Sequence, residues 1–515
     1  MSGSSAVREL PHQAARAAAS NAVFIPVQAA LSLVASALVT RALGVQLYGF
    51  FAIFQAIRST LSFYTDLGSS TATSKLLPEL VAMEGRRGAI RLLGYQALTN
   101  IGSTLVLVGA LQIGAPFFLR LFSLSPDYRF LFSYASIGLL LDEADRLGQV
   151  FLWGRFAHSK VNVSNFIGAV AQPTLVIGAV AMGGSLRQLV LATLAASALS
   201  TAAMLAFAGA ELRRIPKVMD PQRKPPVLQR FVRLAGLTWL EKLSSYLYGT
   251  SFLTLLAASM FDKVQVGFFS LAAEFTIKVL SFVLSPTHGI VLPAFSVVFF
   301  HGTQEQRQDV FIASLRALGL LLWPCAALLV GLSPLVISAI YSHAYSASAL
   351  YLRIFVLFYF VEYAVYSPAN AALLAGDRLA SYSRIKLLSI FVVPLFVLVA
   401  SALTLPWLAV FYGALRLAIA LALLGAAVRL HHLQIPFSFY VSLGTVATIS
   451  LFLILLIVGV VESGPLAAAM SVCTVVLLVV IGARHWQWVS VKEWRAIDRL
   501  NLPGVGWLVR VFHAH

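Results

Sequence analysis

The sequence predicts an all-α polytopic membrane protein with about 14 transmembrane helices. Of its 515 residues, 59% are hydrophobic and 11% are charged, whereas roughly 25% are charged in an ordinary soluble domain. Apolar runs of about 17–25 residues, the length that crosses a bilayer, recur along nearly the whole chain. A weak internal repeat divides the first twelve of these runs into two sets of six, which predicts two six-helix lobes.

The spans are assigned from apolar runs and the polar breaks between them. In chain order they are 18–40, 47–71, 90–112, 130–152, 162–183, 187–209, 235–258, 265–290, 311–332, 350–374, 386–404, 406–428, 440–461 and 464–483. The first run is too long for a cleaved signal peptide, so we expect it to remain as a helix.

The same runs and breaks predict the domain organisation. A polar, basic N-terminal segment (1–17) precedes an N-lobe (18–209), and the break at 210–234 contains seven basic residues and four prolines, so it is predicted to be a cytoplasmic linker. The remaining segments are a C-lobe (235–428), two further helices (440–483) and an amphipathic cytoplasmic tail (484–515) with interspersed tryptophan and basic residues.

The internal repeat rests on three pairs of similar segments. Their glycines align as Gly49 with Gly267, Gly114 with Gly331, and Gly154 with Gly376, at separations of 218, 217 and 222 residues. Because this spacing covers six spans, both repeats have the same membrane orientation. They are therefore predicted to be related by a pseudo-two-fold axis along the membrane normal, with the last two helices outside the repeat.

The formal net charge is +17, with 37 Lys and Arg against 20 Asp and Glu. By our count about 26 of the basic residues lie in the termini and the even-numbered loops, and about 6 lie in the odd-numbered loops. The positive-inside rule then predicts that both termini are cytoplasmic. Anionic membrane lipids are the expected partners of this charge, and a nucleic-acid partner is not needed to explain it.

Charged residues inside the predicted spans are the strongest indication of a site, because each costs about 2.5–3.5 kcal/mol at mid-bilayer on insertion scales. Asp142 with Arg146, and Glu274 with Lys278, have the i, i+4 spacing of ion pairs within a helix. Polar stripes on several spans predict a hydrophilic cavity between the two halves. About a dozen such charges are found, among them Arg58, Asp66, Asp142, Glu143, Asp145, Arg146, Glu241, Lys242, Glu274, Lys278, Glu362 and Arg416.

Two interpretations of these charges stay open at this stage. They can be structural ion pairs that hold helices together, or they can bind an anionic ligand. Arg58 and Lys242 have no partner in the sequence pattern, which favours a ligand role for these two. Arg58 and Lys278 also occupy similar places in the two repeats, so each half presents a basic residue.

Motifs for covalent catalysis are missing. The sequence has no HExxH zinc pattern, no GxSxG elbow and no phosphate-binding or dinucleotide glycine motif. Its two cysteines, Cys325 and Cys473, are far apart, so they indicate neither a disulfide framework nor a metal site. We therefore expect a protein that is not an enzyme and that has no cofactor and no metal.

The segment from Thr40 to Leu80 resembles the first block of the bacterial polysaccharide flippases, the oligosaccharidyl-lipid (O-antigen type) branch of the MOP exporter superfamily. That block reads R-x-LG-x-x-x-YG, then an apolar helix, then DLG. The matching residues are Arg41, Leu43, Gly44, Tyr48, Gly49, Asp66, Leu67 and Gly68. The DAF-x-x-AF-x-x-PN block of the lipid II flippases is missing from the sequence.

The resemblance implies a flippase of the bacterial inner membrane that moves an undecaprenyl-pyrophosphate-linked oligosaccharide from the cytoplasmic to the periplasmic leaflet by alternating access. Arg58, Arg146, Lys242 and Lys278 are then candidates to bind pyrophosphate or acidic sugars. Asp66, Glu274 and Glu362 are candidates to balance these cations or to bind a coupling proton or sodium ion. Polysaccharide polymerase machinery is a further implied partner.

Two other functions remain as alternatives. An ion-coupled, multidrug-type exporter of small amphiphiles would have a cavity dominated by acidic residues. A membrane glycosyltransferase or polymerase is less favoured, because such enzymes generally need sizeable extracytoplasmic loops, and no odd-numbered loop here exceeds roughly twenty residues.

Overall fold

The computed structural model describes residues 3–155, 157–216, 227–247, 249–284, 302–376, 381–387, 401–461 and 464–485, with a few single positions between and beyond them. Every regular element in these ranges is helical. The α-helices are α1 (Gly3–Thr65), α2 (Ser69–Leu121), α3 (Phe130–Gly154), α4 (His158–Ala181), α5 (Leu186–Arg214), α6 (Val227–Leu247), α7 (Thr250–Met260), α8 (Lys263–Leu284), α9 (Gln304–Gly331), α10 (Ser333–Ile340), α11 (Ser348–Ala375), α12 (Leu405–His431), α13 (Phe437–Val460) and α14 (Gly464–His485).

Ten of the described helices are long and apolar enough to cross a membrane. α1 covers the first two predicted spans and is kinked at Gly44, whose φ of 69° and ψ of 175° are non-helical. α3 and α6 each contain four charged residues and correspond to the fourth and seventh predicted spans. The predicted polytopic all-α fold is thus confirmed, while most of the predicted span 386–404 and of the tail 484–515 lies outside the described residues.

The chain divides into two compact units. Unit 1 comprises Met1–Gly289 and Lys386–Leu405, and unit 2 comprises Ile290–Ile385 and Pro406–His515. This boundary does not coincide with the predicted lobe boundary at 210–234, because α6, α7 and α8 belong to unit 1. The division into two six-helix lobes stays a prediction.

In unit 1, α1 packs against α4 and α8, α3 packs against α2 and α5, and α6 packs against α2. A buried apolar cluster holds α2, α3, α5 and α6 together, with Leu77, Phe151, Met204 and Phe231 among its members.

In unit 2, α9 packs against α11 and α13, and α13 packs against α14. Leu315, Ala372 and Leu423 belong to one buried core cluster. The two C-terminal helices that fall outside the repeat are present as α13 and α14, and many of their apolar side chains are exposed.

The backbones of α1 and α8 come close together at two glycines that the internal repeat relates. A Cβ atom on Gly49 would lie 2.2 Å from the carbonyl oxygen of Lys263, and one on Gly267 would lie 2.7 Å from that of Val45. Gly49 thus faces Lys263, which lies four residues before Gly267, and Gly267 faces Val45, which lies four residues before Gly49. This reciprocal contact is the pattern that a local two-fold axis produces, so the repeat is visible in the packing as well as in the sequence.

Candidate functional site

A cavity of about 680 Å³ lies within unit 1, among α1, α3, α7 and α8. We call it the central cavity. Gln55, Arg58 and Ser62, which belong to the polar stripe predicted on α1, line one wall together with Ser59. Its charged lining residues are three cations and three acids: Arg58, Arg146, Lys278, Asp142, Asp145 and Glu274. Their formal charges cancel.

Arg58 is held by an acid on a neighbouring helix. Its Nε donates to Asp142 Oδ2 at 2.8 Å and its Nη2 to Asp142 Oδ1 at 2.5 Å, which is the bidentate arrangement of a guanidinium and a carboxylate. Nη2 also donates to Ser197 Oγ at 3.1 Å. The prediction that Arg58 is unpaired is therefore wrong, because its partner comes from α3 and no pattern local to α1 contains it.

Lys278 forms the predicted i, i+4 pair with Glu274, and their Nζ and Oε1 atoms are 2.5 Å apart. Lys278 Nζ also donates to the backbone carbonyl of Ser32 at 3.1 Å. The other carboxylate oxygen of Glu274 accepts a hydrogen bond of 2.8 Å from the Tyr48 hydroxyl. The tyrosine of the YG motif thus positions an acid of the second repeat.

Arg146 belongs to a more buried network. Its Nη1 donates to Glu143 Oε1 at 2.7 Å, and its Nη2 donates to the Ser62 carbonyl at 2.7 Å. Glu143 also accepts from Asn100 Nδ2 at 2.9 Å and from the Thr65 hydroxyl. The predicted pairing of Arg146 with Asp142 is wrong, because Arg58 takes that carboxylate and Arg146 turns to Glu143.

The DLG motif forms the turn between α1 and α2. Asp66 Oδ1 accepts the backbone amide of Ser70 at 3.1 Å, and Asp66 is paired with Lys242 of α6. Gly68 has a φ of 76°, and a Cβ there would lie 2.1 Å from the carbonyl oxygen of Ala235. The motif therefore needs its glycine for both backbone conformation and close packing. Lys242, like Arg58, is not unpaired as predicted.

A cavity of about 330 Å³ adjoins this turn, and we call it the DLG cavity. Asp66, Lys242 and Arg146 line it. Ser62, Phe63, Arg146 and Gln149 line both the DLG cavity and the central cavity. The four predicted cations, Arg58, Arg146, Lys242 and Lys278, and the two predicted acids Asp66 and Glu274 thus surround two adjoining cavities of one unit.

Glu362 is placed apart from this set, in unit 2. It accepts two hydrogen bonds from Arg416, at 2.7 Å from Nε and 3.0 Å from Nη2. The Arg416 guanidinium also lies 4.3 Å from the centroid of the Tyr359 ring. Glu362 therefore balances a cation within unit 2. Glu241 lies in α6, and its side chain is outside the described part of the structure.

Asp142 and Asp145 belong to the predicted set of intramembrane charges but not to the predicted binding or charge-balancing residues. Both line the central cavity. Their i, i+3 spacing places them on one face of α3, a signal that was available but was interpreted only as local ion pairing.

A protein-family model described as "Polysaccharide biosynthesis protein" matches residues 38–350. The chain belongs to this family. The match spans more than half of the chain and includes the R-x-LG and DLG block, so the resemblance predicted from residues 40–80 is confirmed. No curated protein matches the chain in sequence.

Solved structures of MOP superfamily transporters share the fold of this family member. A lipid II flippase MurJ in an inward closed conformation is 14% identical in sequence and has a TM-score of 0.68. The alignment covers 90% of this chain and 98% of the MurJ chain. An inward-facing MATE multidrug transporter is 14% identical with a TM-score of 0.63, covering 80% and 98%. A Pyrococcus furiosus MOP transporter, described as having a binding pocket of reverse polarity, is 14% identical with a TM-score of 0.52, covering 82% and 95%.

Proposed function

We propose that this protein is a flippase that moves an undecaprenyl-pyrophosphate-linked oligosaccharide from the cytoplasmic to the periplasmic leaflet of the bacterial inner membrane, for O-antigen, capsule or exopolysaccharide synthesis. The observation that carries this proposal is the central cavity, into which both repeats contribute a cation. Arg58 comes from the first repeat and Lys278 from the second. Membership of a polysaccharide biosynthesis family supports the substrate class.

The cations of the central cavity are suited to an anionic ligand that enters and leaves. Each of the three cations has an acidic partner, so its own charge is compensated at membrane depth. A pyrophosphate displaces carboxylates from Arg58 and Lys278, and the displaced acids then take up protons or sodium ions. Asp142 and Glu274 are placed for this exchange because each contacts one of these cations directly.

The membrane potential favours the outward direction. Moving one charge across 100 mV changes the free energy by about 2.3 kcal/mol, so exporting roughly two negative charges gains about 4.6 kcal/mol. The sugar crosses within the polar cavity while the polyprenyl chain stays in lipid. Both termini are cytoplasmic in this arrangement, and the protein carries out transport without covalent chemistry.

A multidrug-type exporter of small amphiphiles is the alternative, and similarity to MATE transporters in fold is what favours it. Against it stands the charge of the central cavity, where three cations match three acids. The two functions differ in the residues they need. The exporter requires Asp66 or Glu362 for binding, whereas the flippase requires Arg58.

Deletion of the gene in its host tests the proposal. We expect one lipid-linked oligosaccharide to accumulate on the cytoplasmic leaflet and one surface polysaccharide to be lost, as measured by mass spectrometry of lipid extracts and by glycan analysis. Complementation with the wild-type gene should restore both. Unchanged polysaccharide without an accumulated intermediate would reject the flippase.

A further inference from the structure

A third cavity, of about 310 Å³, lies within unit 1 among α1, α3, α4 and α5, and we call it the side pocket. Gln55, Arg58, Asp142 and Asp145 line both the side pocket and the central cavity. The Arg58–Asp142 ion pair therefore stands at the boundary between the two. The side pocket has no role in the flipping steps described above.

The rest of the side pocket is lined almost entirely by neutral polar side chains. Hydroxyl and amide groups come from α4 and α5, and apart from Ala196 and Gly168 no apolar residue contributes. These polar residues are Asn165, Gln172, Thr193, Ser197, Ser200 and Thr201.

Several of these polar groups have unused hydrogen-bonding capacity. Within the described residues, the amides of Asn165 and Gln172 make no hydrogen bond. Asp145 Oδ1 is buried and also has no partner there. A buried carboxylate oxygen without a hydrogen-bond partner is unfavourable by several kcal/mol on an order-of-magnitude scale, and the partly buried amides of Asn165 and Gln172 add donors and acceptors to the same pocket. The pocket is therefore suited to an occupant that both donates and accepts hydrogen bonds.

The charge and the volume of the side pocket limit the kind of group that it can bind. One cation, Arg58, and two acids, Asp142 and Asp145, line the pocket, so an anionic group such as a phosphate or a uronic acid is disfavoured there. The space of about 310 Å³ is roughly ten times the ~30 Å³ that a water molecule occupies in the liquid. That is the space of a hydroxylated ring rather than of a single bare ion.

We propose that the side pocket binds one neutral sugar residue of the transported head group, while the pyrophosphate lies with the cations of the central cavity. The proposal rests on the proposed flippase function and adds a specificity site to it. Asn165 and Gln172 hydrogen-bond the ring hydroxyls, and Asp145 Oδ1 accepts from one of them. The pocket thereby distinguishes the complete oligosaccharide from a shorter head group that does not reach it.

The test compares two probes in proteoliposomes that contain the purified full-length protein. One probe is the host's complete lipid-linked oligosaccharide, and the other is undecaprenyl pyrophosphate that carries a single sugar. We expect Asn165→Ala and Gln172→Leu each to lower the flipping rate of the complete oligosaccharide roughly tenfold, because each removes a buried hydrogen bond. The rate for the single-sugar probe should stay within about twofold of wild type.

Thr174→Ala is the matched control, since Thr174 is an exposed residue of α4 that does not line the pocket. Two variants at different positions are used in case one of them fails to fold. Thermal unfolding in detergent measures the stability of each variant. An equal loss for both probes, or unchanged rates for both, would overturn the inference. A change only in the proton or sodium dependence of flipping would also overturn it, because the pocket would then be a cation site. If the wild-type protein moves neither probe, the proposed function itself fails.

Discussion

Asp142 and Glu143 are adjacent acids on α3, and each binds an arginine, yet the structure gives the two ion pairs different surroundings. Asp142 binds Arg58 at the boundary of two cavities, and its side chain is 26% exposed. Glu143 binds Arg146 with its side chain only 3% exposed and also accepts from Asn100. The first acid has one charged partner and an open side, whereas the second is enclosed by its partners. An intramembrane charge is thus a candidate ligand group only where its counter-charge can be exchanged.

This difference predicts that the Arg146–Glu143 network stabilises the fold. We expect Glu143→Ala to lower the free energy of unfolding by about 3–5 kcal/mol, because it leaves Arg146 as a buried cation without its acid. Thermal unfolding in detergent measures the effect. Glu143→Gln retains a hydrogen-bond acceptor and should be less destabilising. If Glu143→Ala has the melting temperature of the wild type, the Arg146–Glu143 pair does not stabilise the fold, and it would then be an exchangeable pair like Arg58–Asp142.

For Arg58 and Lys278 we expect a loss of transport rather than a loss of stability. Arg58→Ala combined with Lys278→Ala should lower the flipping rate at least roughly tenfold, since charge-assisted hydrogen bonds contribute about 1.5–3 kcal/mol each. Insertion and folding should persist, because Asp142 and Glu274 can reach water in the cavity. Flipping is measured in proteoliposomes with the host's lipid-linked oligosaccharide.

The control for this variant is Arg187→Ala, which removes an exposed arginine that hydrogen-bonds Tyr134. Arg58→Lys should recover only part of the activity, because an ammonium group cannot make the bidentate contact. Normal flipping by the double variant would refute the cation site while leaving the family assignment intact.

The sequence was sufficient for the fold because apolar length and charge bias are local properties of each span. The Glu274–Lys278 pair was also predictable, since both residues lie on one helix at i, i+4 spacing. The partner of Arg58 was not, because it depends on how α1 packs against α3. The partner of Glu362 was not predictable either, because Arg416 comes from α12 and no pattern local to α11 contains it.

The internal repeat carried information that local patterns lack. Its offset of 218 residues relates Gly49 to Gly267, and these two glycines contact each other's helices reciprocally. The repeat did not extend to the ion pairs, however. Arg58 is paired between two helices and Lys278 within one helix, so similar positions in the repeat have acquired different partners.

Asp142→Asn is expected to have the smallest effect. If Asp142 competes with the substrate for Arg58, removing its charge should strengthen substrate binding and lower the KM for flipping by up to about fivefold, which corresponds to the upper end of the 0.2–1 kcal/mol of a partly exposed ion pair. Glu143→Gln should leave KM unchanged, because Arg146 remains bound to Ser62 and turned away from exchange. Initial rates over a range of substrate densities in proteoliposomes separate KM from turnover. An equal fall in KM for both variants would mean that the two pairs respond to substrate alike, and the distinction between an exchangeable and an enclosed pair would then have to be abandoned.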